Sequence, residues 1–200
     1  MSRRDFLRML PSVGAAGLLS CASGAAPQAV SAAPGPRRKL RAICFDLFTL
    51  FDPRSVVEVA KSAVGEQATE LCDAWRVRQF EYSWQRVAAE QYVDFGVVTE
   101  QALLFAAKQR RLTLDDATRR RLLDAYCRLT PWPDTRASLL AWKRAGLRLA
   151  PLSNYSPAML SQLLANAGLS ELFDAQISTD PARSFKPAPR AYALGETTLG

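Results

Sequence analysis

The spacing of apolar residues along the chain changes twice. Residues 42–45 form an unbroken apolar run, Ala42-Ile43-Cys44-Phe45, that stops at the carboxylate of Asp46. A run without polar alternation predicts a strand buried on both faces, as in a parallel sheet. From residue 55 the period lengthens to that of a helix. Pro53 and Ser55 open a helix over 55–64 whose apolar positions are Val56, Val57, Val59, Ala60 and Val64. A longer helix over 66–92 carries Leu71, Trp75, Phe80, Trp84 and Val87 at spacings near four, and two more are expected over 97–109 and 115–128. Thr130-Pro131-Trp132-Pro133-Asp134 then breaks the pattern. Beyond it helix and strand alternate. Asp134 is expected to N-cap a helix through Leu139, Leu140 and Trp142 that stops at Gly146; a strand follows over 147–152, then a helix from Pro157 closed by Gly168. A short strand over 173–178 and a last helix containing Tyr192 complete the series. This order predicts an α/β fold: a parallel Rossmann-like sheet with a helical cap inserted after strand 1. Residues 37–54 and 134–200 would form the core, and 55–133 the cap.

Residues 1–36 follow neither period. Ser2-Arg3-Arg4-Asp5-Phe6-Leu7-Arg8 precedes an Ala/Gly-rich stretch over 9–26 and a Pro-rich segment ending at Pro36. The pattern reads as a twin-arginine export signal and linker, cleaved near Ala32 or Ala33, with the twin-arginine export machinery as partner and a periplasmic or exported product. A disordered basic N-terminus is the plainer alternative. The stretch is too short and too rich in Gly and Ser for a membrane-spanning helix. Leu18-Leu19-Ser20-Cys21 also resembles a lipobox, which would tether the chain through Cys21.

Charge adds little to this picture once its location is known. The net charge is +7, but residues 1–41 hold seven basic side chains against one acid, leaving the remainder near neutral. The basic balance therefore belongs to the export segment, and no nucleic-acid partner is expected. With 48% hydrophobic and 22% charged residues, the rest has ordinary globular composition. Of four cysteines, Cys21 falls in the signal and Cys44 in the first strand. Cys72 and Cys127 fall in helices, where a bridge is conceivable and packing as small hydrophobes is the expectation. The chain has no histidine. That excludes Ser-His-Asp and Cys-His nucleophile systems and any His-ligated metal.

Asp46 is the candidate nucleophile, at the C-terminal tip of a buried strand where α/β folds place their sites. Taken alone, an Asp in that position more often only caps the next turn. The downstream motifs change the balance. Phe45-Asp46 through Phe51-Asp52, Trp75-Arg76 with Gln79-Phe80-Glu81-Tyr82-Ser83-Trp84, Leu152-Ser153-Asn154, and Lys186-Pro187-x-Pro189-x-x-Tyr192 occur in that order. From about residue 40 to 200 the chain resembles the haloacid dehalogenase superfamily, and its L-2-haloacid dehalogenase (type II) branch more than its phosphatases.

The residues favour the same branch on chemical grounds. A phosphatase of this superfamily needs a second Asp two residues after the nucleophile to protonate an alkoxide, and Mg²⁺ to offset phosphate charge. That position is Phe48. A halide leaves without a proton and a small carboxylate carries one charge, so no metal and no cofactor are expected. The resemblance implies that Asp46 attacks the halogen-bearing carbon of a small halogenated carboxylate and that water hydrolyses the resulting ester. It implies that Lys186 keeps Asp46 ionised, and that Arg76 and Asn154 cradle the halide. Ser153 would hold the substrate carboxylate, Tyr192 would assist placement, and Thr49 matches the family's first-loop threonine. Phe48, Phe80 and Phe95 would line the pocket. Each has a plainer reading alone: Lys186 a solvated loop cation, Arg76 a surface ion-pair partner, Ser153-Asn154 a turn, Phe80 and Phe95 ordinary helix packing.

Two departures bear on these expectations. The first loop is one residue shorter than the family pattern, lacking a Gly before Thr49. The sequence also stops at Gly200, ahead of a strand that in the family carries Ser, Asn and an acidic residue around the hydrolytic water. That reading makes the core incomplete and leaves Cys44 and Phe45 on an open edge. Two classes follow: an exported dehalogenase, for which the resemblance implies a homodimer, or a catalytically impaired binding module of the same fold. A phosphatase is the more distant third.

Overall fold

In the computed structural model, which describes residues 40–200, β1 (Ala42–Phe45) pairs in parallel with β4 (Arg148–Ser153), Ala42 opposite Arg148 and Phe45 opposite Pro151. β4 pairs in parallel with β5 (Ile177–Ser178) on its other side, giving the order β1-β4-β5. The arginine pair, the Cys21 lipobox and the cleavage region lie outside the described residues. As the central strand, β4 is buried from Leu149 to Ser153, which is why its sequence shows no polar alternation. β1 is the edge among the described residues, but only half of the expected exposure occurs. Cys44 is exposed, whereas Phe45 is buried with its ring stacked on Trp142 at 5.2 Å.

The strand expected over 173–178 is shorter than its apolar pattern. Asp174 accepts the backbone N–H of Leu149 on its carboxylate at 2.7 Å and donates its own N–H to Leu149 O at 2.8 Å. This side-chain bond stands where a ladder would run, and pairing starts only at Ile177. The bond from Leu149 also holds the Asp174 carboxyl below its ordinary range.

Eight α-helices surround the strands among the described residues. A one-turn helix, α1 (Leu47–Leu50), leaves the tip of β1, followed by α2 (Ser55–Val64), α3 (Ala68–Ala88), α4 (Phe95–Gln109) and α5 (Asp116–Ala125). α6 (Thr135–Arg144), α7 (Pro157–Asn166) and α8 (Pro189–Leu199) then alternate with the strands. α3 is shorter than the apolar periodicity suggests: it starts after a 3₁₀ turn at Gly65–Gln67 and ends before Glu90, whose φ of 55° leaves the helical region. α5 likewise ends at Ala125 and tightens into a 3₁₀ turn, Tyr126–Arg128. Asp134 does occupy the N-cap of α6, yet its side chain makes no cap bond because its own backbone is already helical, φ −92° and ψ −6°. Gly146 and Gly168 terminate α6 and α7 in the left-handed region, at φ 79° and 62°, a backbone conformation that residues with a Cβ rarely adopt.

The helices α2 to α5 pack through Leu71, Trp75, Leu103 and Leu122, all fully buried. Cys72 and Cys127 are buried and free, packing as small apolar side chains; burial, then Asp73, pushes the Cys72 thiol up to about 11. A two-stranded antiparallel ribbon joins both ends of this helical segment, β2 (Phe51–Asp52) to β3 (Thr130–Pro131). Sequence patterning could not reveal it, since two residues carry no period. Thr135 Oγ1 and Trp132 N both donate to Leu50 O, and Trp132 Nε1 donates to Phe48 O, so the ribbon is tied to the loop that follows Asp46. No helix among the described residues is long and apolar enough to cross a membrane.

Candidate active site

Asp46 ends β1 and N-caps α1, and its two carboxylate oxygens divide the work. Oδ2 accepts the backbone N–H of Phe48 at 3.0 Å, while Oδ1 accepts from Lys186 Nζ at 2.5 Å. Turn capping and a poised carboxylate are therefore both present in one side chain. About half of the Asp46 side chain remains open to solvent (47%), against 15% for Lys186.

Lys186 is held from both ends. Its backbone N–H donates to Asn154 Oδ1 at 2.8 Å, and Nζ donates a second bond to Leu152 O at 2.6 Å. Asn154 Oδ1 also accepts from Thr179 Oγ1 at 3.4 Å. Since a carbonyl must face these donors, the amide orientation is fixed and the Nδ2 hydrogens are left to face the cleft. Ser153, fully enclosed at the end of β4, accepts the Tyr155 N–H on Oγ at 3.0 Å and keeps its hydroxyl proton to donate. The Cys44 thiol is raised by burial and partly pulled back by the Lys186 charge.

A cleft of about 430 Å³ opens beside this group, lined by Asp46, Asn154, Lys186, Phe80, Trp84 and Tyr192 among others. Behind Asp46 it meets a narrow pocket of about 30 Å³ walled by Phe48, Phe80, Phe95, Gln79 and Ser153. Phe48 and Phe80 meet edge to face at 6.2 Å, and Phe95 stacks on Tyr155 at 5.4 Å. β1, β4 and the approach to α8 thus supply polar groups, and α3 and α4 supply aromatic ones.

The structure brings together Asp46, Lys186, Asn154, Ser153, Phe48, Phe80, Phe95 and Tyr192 around these spaces. Thr49 and Arg76 stand apart from the lining. Thr49 donates through Oγ1 to Asp46 O at 2.6 Å, supporting the turn rather than facing the cleft. The Arg76 guanidinium pairs with Asp73 at 3.2 Å, one turn earlier on α3, and its charge also reaches Asp52. Lining residues given no role from the sequence include Gln79, Trp84 and Leu152, all of which fall within the motifs that carry the resemblance. Trp84 lies one turn after Phe80 on α3, a spacing legible in the periodicity; Gln79 is buried beside it, and Leu152 contributes its backbone carbonyl, which no sequence pattern marks. Among the described residues, no group of three or more Cys, Asp or Glu could hold a metal ion.

This geometry has counterparts. Residues 40–200 match the family model of the haloacid dehalogenase-like hydrolases. The chain is 43% identical over 162 residues to the (S)-2-haloacid dehalogenase of Pseudomonas sp. (strain YL), covering 80% of this chain and 70% of that one. It is 38% identical over 164 residues to haloacetate dehalogenase H-2 of Moraxella sp. (strain B), covering 82% and 73%. Among solved structures, the L-2-haloacid dehalogenase of Xanthobacter autotrophicus with chloropropionic acid covalently bound superposes with a TM-score of 0.75 at 42% identity. That match covers 81% of this chain and 66% of the other, so the chain spans just under two thirds of that relative's length. With its parallel sheet, its carboxylate at the tip of the first strand and the match running through both, the chain belongs to the haloacid dehalogenase-like hydrolase family.

Proposed function

We propose that the chain hydrolyses the carbon–halogen bond of small 2-haloacids through an ester on Asp46. The observation that carries this reading is the Asp46 Oδ1 to Lys186 Nζ contact at 2.5 Å, at the foot of a cleft whose facing wall is aromatic. Relatives named as 2-haloacid dehalogenases, one of them with chloropropionic acid bound covalently, support the same chemistry.

In this mechanism a carboxylate oxygen of Asp46 attacks the carbon bearing the halogen. The new C–O bond forms as the carbon–halogen bond breaks, and the electron pair leaves with the halide. Lys186, bonded to Oδ1, fixes the direction of the attacking carboxylate. The free Nδ2 hydrogens of Asn154 solvate the leaving halide, and Arg76 joins them once its guanidinium releases Asp73. Ser153 receives the substrate carboxylate, Tyr192 closes the rim, and Thr49 holds the turn beneath Asp46. Phe48, Phe80 and Phe95 exclude water and set the size of the substituent. Water then hydrolyses the ester, returning the carboxylate and releasing a hydroxy acid.

The test is chloride release from L-2-chloropropionate without added metal, alongside the intact mass of the protein, with Asp46→Asn as control. Sustained release that depends on Asp46 is the expected result; neither chloride nor an adduct from a folded chain would overturn the reading. The Arg3-Arg4 signal pattern supports export by the twin-arginine machinery to the periplasm, with anchoring at Cys21 as a variant. Fractionation of cells carrying the chain and its Arg3→Lys/Arg4→Lys variant tests this. The family resemblance supports a homodimer, which light scattering measures.

A further inference from the structure

Between the 3₁₀ turn Asp180–Ala182 and α8, residues 183–188 carry no regular structure, yet Lys186 in their midst must meet Asp46 within a hydrogen bond. Backbone ladders do not account for its placement; side chains do. On one side the segment is fastened to the end of β4 through Lys186 N, which donates to Asn154 Oδ1, and just ahead of the segment Thr179 N donates to Ser153 O. On the other it meets the helical segment through Phe95 and, at several points, through one residue of the α3–α4 turn, Tyr92. The Tyr92 hydroxyl donates to Asp180 Oδ1 at 2.5 Å, and the Arg183 guanidinium lies 4.6 Å over the face of the same ring. Arg183 has φ 47°, a left-handed conformation costly for a side chain with a Cβ, so the surrounding contacts must hold it there. The Tyr92 ring also packs at 5.0 Å on Phe185, the residue before Lys186, and Phe185 is fully buried between Tyr92 and Phe95.

The geometry points to Tyr92 as a positioning residue that sets Lys186 against Asp46 by clamping Asp180, Arg183 and Phe185. One ring engages three consecutive anchors of the segment, and the last anchor is covalently next to the ammonium's own residue. Burial, and then the bond to Asp180, pushes the Tyr92 phenol above its ordinary range, so it stays a donor throughout neutral pH. The clamp comes from the same helical segment that supplies Phe80 and Phe95. Its seating and the direction of Lys186 are therefore set together.

Two measurements on the full chain test the assignment, and only the kinetic one rests on the proposed dehalogenase reading. The first is trace acetylation with acetic anhydride, followed by peptide mass mapping of Lys186 relative to the other lysines. Tyr92→Phe keeps the ring and removes the hydroxyl; Lys186 is expected to label roughly tenfold faster, the ratio that loss of one hydrogen bond sets. Asp180→Leu should do the same and Asp180→Asn, which keeps an acceptor, should stay near the parent. Should one variant fail to fold, the other decides. Unchanged Lys186 labelling in a folded Tyr92→Phe or Asp180→Leu chain overturns the assignment, whether or not the protein dehalogenates anything. The second is turnover: Tyr92→Phe should lower kcat roughly tenfold and leave KM within about twofold, with no further loss when combined with Lys186→Met. A rise in KM at constant kcat, or a loss of equal size in the Lys186→Met background, would also overturn it.

Discussion

The two walls of the cleft differ in how they are held. The sheet wall is polar and cross-tied: Asp46 and Lys186 bond each other, Asn154 accepts from Lys186 N, and Ser153 O accepts from Thr179 N, each at 3.0 Å or less. The helical wall is aromatic and partly open, with Phe80 39% and Trp84 54% exposed. Hydrogen bonds fix direction, which displacement at carbon requires of its nucleophile. Apolar packing fixes volume, which is what a substituent meets. Under the proposed function, the difference assigns chemistry and size selection to separate parts of the chain, joined by the β2–β3 ribbon and by Tyr92.

Substitutions on the two walls should therefore fail differently. Asp46→Asn should reduce chloride release on the order of a thousandfold or more without unfolding the chain, as steady-state kinetics and circular dichroism would show. Lys186→Met should cost about a hundredfold, almost entirely in kcat, the scale of removing one preorganised charge. Phe80→Ala should act on the other wall: kcat/KM for 2-chloropropionate falls about tenfold while longer-chain 2-haloacids lose less, a change in preference rather than in chemistry. An equal loss for all chain lengths would erase the distinction drawn between the walls.

The joints should show up in stability. Thr135→Val removes one of two donors to Leu50 O and should lower unfolding free energy by about 0.5–1.5 kcal/mol in urea titration. The smallest effect is expected at Asp52. Burial raises this carboxyl, but hydrogen bonds from Arg54 and its charge outweigh that and leave it below its ordinary range. A depressed folded value means that the stabilisation is complete above the unfolded value and is lost as pH falls through the folded one. Asp52→Asn should thus cost about 0.5 kcal/mol at pH 7 and nothing at pH 2, read from melting curves at the two pH values.

Much of this arrangement was legible before any coordinates. The apolar run ending at Asp46 announced a strand with a carboxylate at its tip, although only Phe45 of that strand is buried, and the helix–strand alternation after Asp134 announced the parallel sheet. Phe80 reached the pocket from a helix whose periodicity was plain, whereas Phe95 opens α4 two residues ahead of the expected start. Other features were hidden because nothing local encodes them. The β2–β3 ribbon is two residues per strand, and the strand expected over 173–178 gave way to the bond between Asp174 and the Leu149 N–H. Arg76 reads as a pocket residue by its motif, but its guanidinium is drawn to Asp73, a nearer opposite charge on its own helix.

By itself the sequence determined most of the helices, the two longer parallel strands and the carboxylate that follows the first of them, and its lack of histidine leaves no imidazole to any site built from these residues. These follow from periodicity and residue type, which act over a few neighbours. Only the tertiary structure decided that Lys186 meets Asp46 across 140 positions, that Asn154 turns its carbonyl to Lys186 and its amide to the cleft, and that Tyr92 grips the loop between them. Such pairings depend on packing between distant segments, and a side chain's partner is chosen there by distance and burial rather than by its place in the chain.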